Sequence, residues 1–245
     1  MNVRKVWING AQHIGMLGIY GKHPAFGDFI SHGVSPRFQA AIEPWVGQIL
    51  GEVRDHLGDS WQSVYDNALP LRFWLGARVF GESNLRGVIL FGHDKVGRRY
   101  PLIIAHEANG LPAPVLDHGQ DFYDTAQSGL ERAFLETELD PATLIAALGD
   151  DNSTAAPTEP EPATLWAANP DPQVEELLKA VCATDHQRAA EYRSYWWRTG
   201  QQTSASTFLA TQGMPDAAEF AWLLAGLQTQ ALQHPDPSHT DAQSM

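Results

Sequence analysis

Three runs of β-favouring residues follow one another between Arg72 and Ala108, and this pattern constrains the fold more than any other feature. The runs are RFWLGARVF, LRGVILF and YPLIIAHEA, and the turn-rich segments GESN and GHDKVGRR separate them. Short strands divided by turns predict an antiparallel meander, and the apolar middle run is expected at its centre with both faces covered. We therefore predict an α/β fold, a mixed and largely antiparallel sheet with helices on both faces, arranged as a layered sandwich.

Helical spacing before and after the meander predicts the covering layers. Ser35 and Pro36 form a typical helix start, and apolar residues then recur at helical spacing as far as His56. Pro44 is expected to kink this helix or to split it in two. Further helices are predicted at 60–68, 117–138, 141–148, 174–183 and after Pro215, and YWWR and STFLA predict a C-terminal pair of strands.

The chain divides into five segments by composition. A flexible leader is predicted at 1–15 and an α/β core at 16–148. Residues 149–163 are acidic and rich in Pro, Ser and Thr, which predicts a linker or mobile loop. Residues 164–233 are expected to pack back on the core as helices and edge strands, and 234–245 form a polar tail that is predicted to be disordered.

The apolar segments and the cysteine content indicate a cytoplasmic protein. The longest apolar runs are far shorter than the roughly 18 residues of a membrane span. No apolar segment follows the basic residues at the start, so no secretory signal is predicted. Cys182 is the single cysteine, which excludes an intrachain disulfide, and its place in an apolar helical pattern predicts a small core residue.

The charge balance argues against a general nucleic-acid binder and against a binder of anionic membranes. The net charge is −13, whereas such proteins neutralise phosphates with clustered Lys and Arg. Residues 1–110 carry a net +2, and residues 111–245 carry a net −15. A positive patch in the first half is therefore one interpretation, with steering of an acidic partner as its consequence. The other interpretation is that the acidic half is simply a solvated surface.

Common catalytic and metal-binding signatures are missing from the sequence. There is no HExxH, no paired CxxC, no Walker loop, no GxGxxG and no GxSxG. None of the ten histidines forms an HxH or HxxxH pair, which weakens a local metal site. We therefore predict no catalytic residue, no metal and no cofactor.

Two polar loops contain the candidate functional residues. The opening loop, residues 22–28, follows a strand-like run that ends at Tyr20, and the basic loop, residues 92–99, has the densest positive cluster of the chain. If the loops meet at one sheet edge, Asp28 is expected near Arg98 or Arg99. One interpretation is a salt-bridge network that only fixes loop geometry, and the other is that the basic cluster binds an acidic segment or a phosphorylated partner. The candidates for either role are Tyr20, Lys22, Asp28, Asp94, Lys95, Arg98 and Arg99.

Five motifs together resemble one bacterial family. They are GIYGKHPAFGDF at 18–29, EPW at 43–45, LRFWL at 71–75, DKVGRRYPL at 94–102, and SYWW with the later GMP at 213–215. The combination resembles the type VI secretion-associated proteins called TagF or ImpM. Two departures from the family pattern are His23, where a leucine is expected, and Tyr100, where a phenylalanine is expected.

The resemblance implies a cytoplasmic accessory protein that regulates type VI secretion after translation, typically as a repressor. Family members are linked to the forkhead-associated scaffold protein of that system, and some are fused to its phosphatase. No catalytic activity comes with the family. The alternative from another class is a small-ligand-binding or phosphate-binding enzyme that uses Lys22, Asp28, Arg98 and Arg99. The sequence leaves the oligomeric state open.

Overall fold

The computed structural model describes residues 15–81, 83–149, 167, 174–200 and 204–226. The elements in chain order are β1 (Met16–Gly21), β2 (Ile30–His32), α1 (Pro36–Leu57), a 3₁₀ turn (Gly58–Ser60), α2 (Trp61–Asp66), β3 (Leu71–Leu75), α3 (Ala77–Phe80), β4 (Asn84–Leu90), β5 (Leu102–Ala108), α4 (Asp121–Leu135), α5 (Pro141–Leu148), α6 (Val174–Ala190), β6 (Arg193–Arg198), β7 (Thr207–Gln212) and α7 (Ala217–Ala225).

One sheet contains all seven named strands, in the order β2-β1-β5-β4-β3-β6-β7. Every neighbouring pair is antiparallel. The predicted meander forms its middle, where β4 lies between β5 and β3, and the C-terminal strands β6 and β7 extend the same sheet beyond β3. The predicted α/β class with a largely antiparallel sheet is therefore confirmed.

Helices cover both faces of the sheet because side chains alternate along each strand. On one face, α1, α2 and α7 pack over residues such as Phe73 and Ile103. On the other face, α4 and α5 pack over residues such as Val88 and Ile104. Arg72 of β3 is buried and bonds with its guanidinium to Gln120, Asp124 and Gln127 at 2.7–3.3 Å. A charged residue is thus accommodated in a buried strand because its donors are satisfied.

Helix α1 starts where the sequence predicts and runs without interruption through Pro44. The Ser35 hydroxyl accepts a hydrogen bond from the Phe38 N–H at 2.9 Å, and Pro36 occupies the first turn. The alternative of two separate helices is wrong. The buried face, which includes Ile42 and Val53, packs on the sheet along the full length of the helix and offsets the one backbone hydrogen bond that a proline cannot donate.

Two sequence-based expectations are corrected. The run RFWLGARVF is not one strand, because β3 ends at Leu75 and the short helix α3 follows Gly76. A Cβ on Gly76 would lie only 2.1 Å from the Ala190 carbonyl oxygen, so the chain turns at the one residue that tolerates this approach. Cys182 is exposed rather than part of the core, because α6 lies on the surface, with Val174 and Leu178 more than half exposed.

The leader, the acidic linker and the tail lie outside the described residues, apart from their end residues Gly15 and Gly149. The predictions for these segments stay predictions.

Candidate functional site

The opening loop and the basic loop meet because β1 pairs with β5. Gly21, the last residue of β1, lies opposite Leu102, the first residue of β5. The Lys22 N–H continues the ladder by donating to the Pro101 carbonyl at 3.2 Å. The opening loop therefore starts where the basic loop ends, although the two are more than sixty residues apart in the chain.

Asp94 is the centre of the contact between the two loops. Its side chain is buried, and one carboxylate oxygen accepts from the backbone N–H groups of Val96 and Arg98, at 3.0 and 2.9 Å. The other oxygen accepts from Lys22 Nζ at 3.0 Å and from Arg98 Nε at 2.6 Å. One carboxylate thus shapes the turn of the basic loop and also anchors it to the end of β1.

These contacts keep Asp94 ionised. Burial by itself pushes the pKa of the Asp94 carboxyl up, but the hydrogen bonds from the Arg98 backbone, Lys22, the Arg98 side chain and the Val96 backbone together hold it well below its usual range. Since Lys22 is only 9% exposed, the ammonium and the carboxylate compensate each other in a poorly hydrated place. Lys22 and Asp94 are therefore internal parts of the loop structure.

Two backbone carbonyls of the opening loop bind the basic loop directly. The Phe26 carbonyl accepts from the Lys95 N–H at 3.1 Å, and the Gly27 carbonyl accepts from Arg98 Nη2 at 2.6 Å. The loops meet as expected, but the acceptor for Arg98 is the Gly27 carbonyl and not the Asp28 carboxylate. Asp28 is exposed and forms no hydrogen bond or ion pair with any residue in the described part of the chain.

The outer side of the basic loop presents cations to solvent. The Arg98 side chain is 58% exposed even though its Nε is bound to Asp94. Arg99 makes a two-pronged ion pair with Asp66 at 2.8 and 2.6 Å, and this contact lowers the pKa of Asp66. Lys95 is exposed, and within the described residues its ammonium group has no bonded partner. Carboxylates thus fix the two guanidinium groups and leave their remaining N–H donors available.

An aromatic layer lies directly behind the opening loop. The Phe29 ring stacks on Tyr20 at 5.6 Å and meets the edge of Tyr100 at 4.8 Å, and Lys22 Nζ lies 5.0 Å from its centroid. The Tyr20 and Tyr100 hydroxyls are buried, and neither reaches hydrogen-bond geometry with a partner, although both lie near Glu43. Burial raises the pKa of Tyr100 to about 12 and raises that of Tyr20 further. Both phenols are therefore neutral donors at physiological pH.

An open groove of about 400 Å³ separates the basic loop from helix α1. Gly47 and Gly51 leave space on the helix side, since a Cβ on either would meet nothing within 4 Å. The groove is lined by Gly47, Leu50, Gly51, Arg54, Trp61, Gly97, Arg98, Arg99 and Tyr100. Three guanidinium groups, an indole and a buried phenol thus share one concave surface, which suits a partner group that is anionic at one end and apolar at the other.

Sequence reasoning missed several residues of this surface. Arg54 lies in the last turn of α1 and Trp61 begins α2. Asp66, the partner of Arg99, ends α2. Arg54 follows Gly47 and Gly51 at helical spacing, and all three positions lie outside the apolar stripe of α1. The helical pattern alone therefore places Arg54 on the same exposed side of α1 as the two glycines. The pairing of Asp66 with Arg99 has no local signal, because the two residues are 33 positions apart.

Among the described residues, no three His, Cys, Asp or Glu side chains come together in a way that could hold a metal ion. Nor does any described helix have the length and apolarity needed to cross a membrane.

One comparison with known proteins gives the family of this chain, and another gives its fold. A family model described as the TagF N-terminal domain, type VI secretion system-associated, matches residues 18–150. The crystal structure of PA0076 from Pseudomonas aeruginosa PAO1 matches with a TM-score of 0.67 at 24% sequence identity, covering 85% of this chain and 93% of that one. At this identity the structural likeness shows the fold alone. No curated protein matches the sequence significantly.

Proposed function

Because this chain belongs to the TagF N-terminal domain family of type VI secretion system-associated proteins, we propose that it is a regulatory interaction protein of that secretion system. In this proposal it acts in the cytoplasm, binds a component of the apparatus and holds it inactive, as a repressor that works after translation. The forkhead-associated scaffold protein is the proposed partner. Binding, rather than turnover of a metabolite, is the proposed activity.

The observation that carries this proposal is the way Asp94 fixes the basic loop. A single buried carboxylate binds two backbone N–H groups and two cationic side chains, so the loop is held in one shape. Arg98 and Arg99 then lie along the groove beside α1 with unused donors. A surface that is ordered before binding loses less conformational entropy on association, which favours recognition of a defined partner.

The same contacts support a different proposed role for each group of candidate residues. Lys22 and Asp94 support the loop from inside, since both are buried and bonded to each other. We propose that Lys95, Arg98 and Arg99 form the binding surface, together with Arg54 and Trp61 across the groove. A partner that carries acidic side chains or a phosphoryl group fits this surface, because planar guanidinium groups bind such oxygens through two parallel hydrogen bonds.

The rival proposal, a small-ligand-binding or phosphate-binding enzyme, has one observation in its favour. The groove brings Arg54, Arg98 and Arg99 onto one concave surface, and clustered guanidinium groups bind oxyanions through several hydrogen bonds. Against it, Lys22 is already bound to Asp94, and Asp28 forms no hydrogen bond or ion pair with the arginines. Inorganic phosphate in the groove in a crystal structure, together with turnover that Arg98→Gln abolishes, would support the enzyme and overturn our proposal.

Retention of partners from native cytosol tests the interaction proposal. Tagged wild-type protein is compared with Lys95→Glu and Arg99→Glu, which reverse charge outside the Asp94 contacts. Arg132→Glu is the matched control, because Arg132 is exposed on α4, on the opposite face of the sheet. We expect the wild type and the control to retain the forkhead-associated scaffold and to repress secretion, and the two loop variants to lose both.

Equal retention and repression by all four proteins would remove the basic loop from the mechanism. Circular dichroism and thermal unfolding of each variant check that a loss of binding does not come from unfolding. Neither loop substitution removes a group that bonds to Asp94, so both variants are expected to fold.

A further inference from the structure

The outer edge of β7 is open within the described part of the chain. β7 is the last strand of the sheet and pairs on one side only, with β6. Natural edge strands are usually protected by charged residues, proline, a bulge or very short length. The six residues of β7, TFLATQ, include no charge and no proline, and they pair with β6 in an unbroken register.

Three residues of β7 have backbone N–H and C=O groups that are not bonded to β6. The Gly213 N–H donates to the Tyr192 carbonyl at 2.8 Å, and the two residues lie opposite each other in the β6–β7 register. In an antiparallel pair, bonded and non-bonded positions alternate along the strand. The N–H and C=O groups of Phe208, Ala210 and Gln212 therefore point away from β6, and the same three residues have exposed side chains.

These three positions are symmetric about Ala210. A two-fold axis through Ala210 places Ala210 opposite its own copy and Phe208 opposite Gln212 of the second copy. All three outward positions then form bonded pairs, which gives six main-chain hydrogen bonds. The other edge of the sheet, β2, has only three residues. Self-pairing of β7 therefore closes as a dimer and does not continue into a filament.

Charge also favours a second copy as the occupant. The whole chain has a net charge of −13, yet the pairing strand has no ionisable residue, so two copies bring no like charges face to face. A strand shaped for an oppositely charged partner would be expected to carry charge. Exposed apolar side chains near this edge add contact area beyond the main chain, with Phe208 at 48% and Tyr192 at 55% exposure.

We propose that two copies of this chain pair through their β7 edges and form a continuous sheet of fourteen strands. This interface is separate from the basic loop, because β4, β3 and β6 lie between β5 and β7. Its test and the test of the proposed function therefore have independent outcomes.

Sedimentation equilibrium of the full chain over a range of concentrations tests self-association. Ala210→Pro removes an outward N–H without removing a bond to β6, and Phe208→Lys places a charge in the pairing edge. Leu135→Lys is the matched control, because Leu135 is 85% exposed and lies on α4. We expect a dimer for the wild type and the control, and a dissociation constant at least about tenfold higher for the two β7 variants.

Single-cysteine cross-linking tests the register. In a Cys182→Ser background, Ala210→Cys is expected to form a disulfide dimer under mild oxidation, because Cα atoms of a bonded antiparallel pair lie about 5.5 Å apart. Gln212→Cys is the control for register, since the two copies of position 212 would be about 14 Å apart. We expect cross-linked dimer for position 210 and monomer for position 212.

A wild type that stays monomeric at about 100 μM would overturn the proposal, since such an interface would have no effect at ordinary concentrations. A dimer that survives both β7 substitutions, or that cross-links equally at 210 and 212, would overturn it as well. Circular dichroism of each variant separates loss of pairing from loss of fold.

Discussion

Replacing Lys22 by methionine tests whether the buried ion pair holds the basic loop in place. The substitution keeps the unbranched side chain, so packing changes little, but it removes the 3.0 Å bond to Asp94 and the charge over the Phe29 ring. Losing one partner of a fully buried ion pair costs about 3–5 kcal/mol. Asp94 keeps its three N–H donors from Val96 and Arg98 here, so the loss is closer to that of one charged hydrogen bond, about 1.5–3 kcal/mol.

The assay is urea and thermal unfolding of Lys22→Met beside Lys95→Met, which changes an exposed lysine of the basic loop. For a chain of this size the expected loss corresponds to a melting temperature lower by roughly 3–12 °C. Lys95→Met is expected to unfold within about 0.5 kcal/mol of the wild type, as surface substitutions usually do. If the two variants unfold alike, the Lys22–Asp94 contact does not stabilise the loop and the reasoning is refuted.

Three further predictions concern acid, packing and the groove. The pKa values of Asp94 and Asp66 are lowered in the folded state, so the unfolded chain binds more protons in acid. The free energy of unfolding is therefore expected to stay constant above pH ~4 and to fall below it. Urea unfolding of Asp94→Asn checks this, and a variant that keeps the full acid dependence would contradict it. Gly18→Ala places a Cβ within 2.4 Å of the Gly33–Val34 backbone and is expected to cost about 1–3 kcal/mol in urea unfolding, so unchanged stability would count against the close approach of β1 to this turn. The Cβ added by Gly47→Ala meets no atom within 4 Å, so thermal unfolding is expected to show a free energy of unfolding higher by about 0.5–1 kcal/mol. The added methyl group narrows the groove and is expected to weaken binding of the scaffold, so an unaltered affinity would place the partner elsewhere.

Most elements of the fold follow from local pattern. Runs of β-branched and aromatic residues between turns predict the strands of the meander, and the Ser35-Pro36 start predicts the first turn of α1. The error at Gly76 has a physical cause, because the turn there depends on the approach of the Ala190 carbonyl from the distant end of α6. The prediction of Cys182 as a core residue is wrong for a related reason, since an apolar pattern does not show whether anything packs against it.

The sequence indicates the two loops of the candidate site, but neither their pairings nor the groove residues Arg54 and Trp61. Glycines and charges mark the two loops in the sequence, yet their contact rests on β1 lying beside β5, which local sequence does not specify. Lys22 and Asp94 are 72 positions apart in the chain, so local sequence does not show that Lys22 is the buried lysine. His23 is a similar case, because Nε2 contacts the Ala133 carbonyl at 2.8 Å and Nδ1 accepts from the Ala25 N–H. This polar residue is therefore buried at a position where the family resemblance leads us to expect leucine.

The most direct test of the account is the affinity of the purified chain for the purified forkhead-associated scaffold, measured by isothermal titration calorimetry. We predict saturable binding that weakens at least about tenfold in Lys95→Glu/Arg99→Glu and is unchanged in Arg132→Glu. Binding that is equally tight for all three proteins, or no binding by the folded wild type, would contradict the claim that the basic loop is the surface through which this protein binds its secretion-system partner.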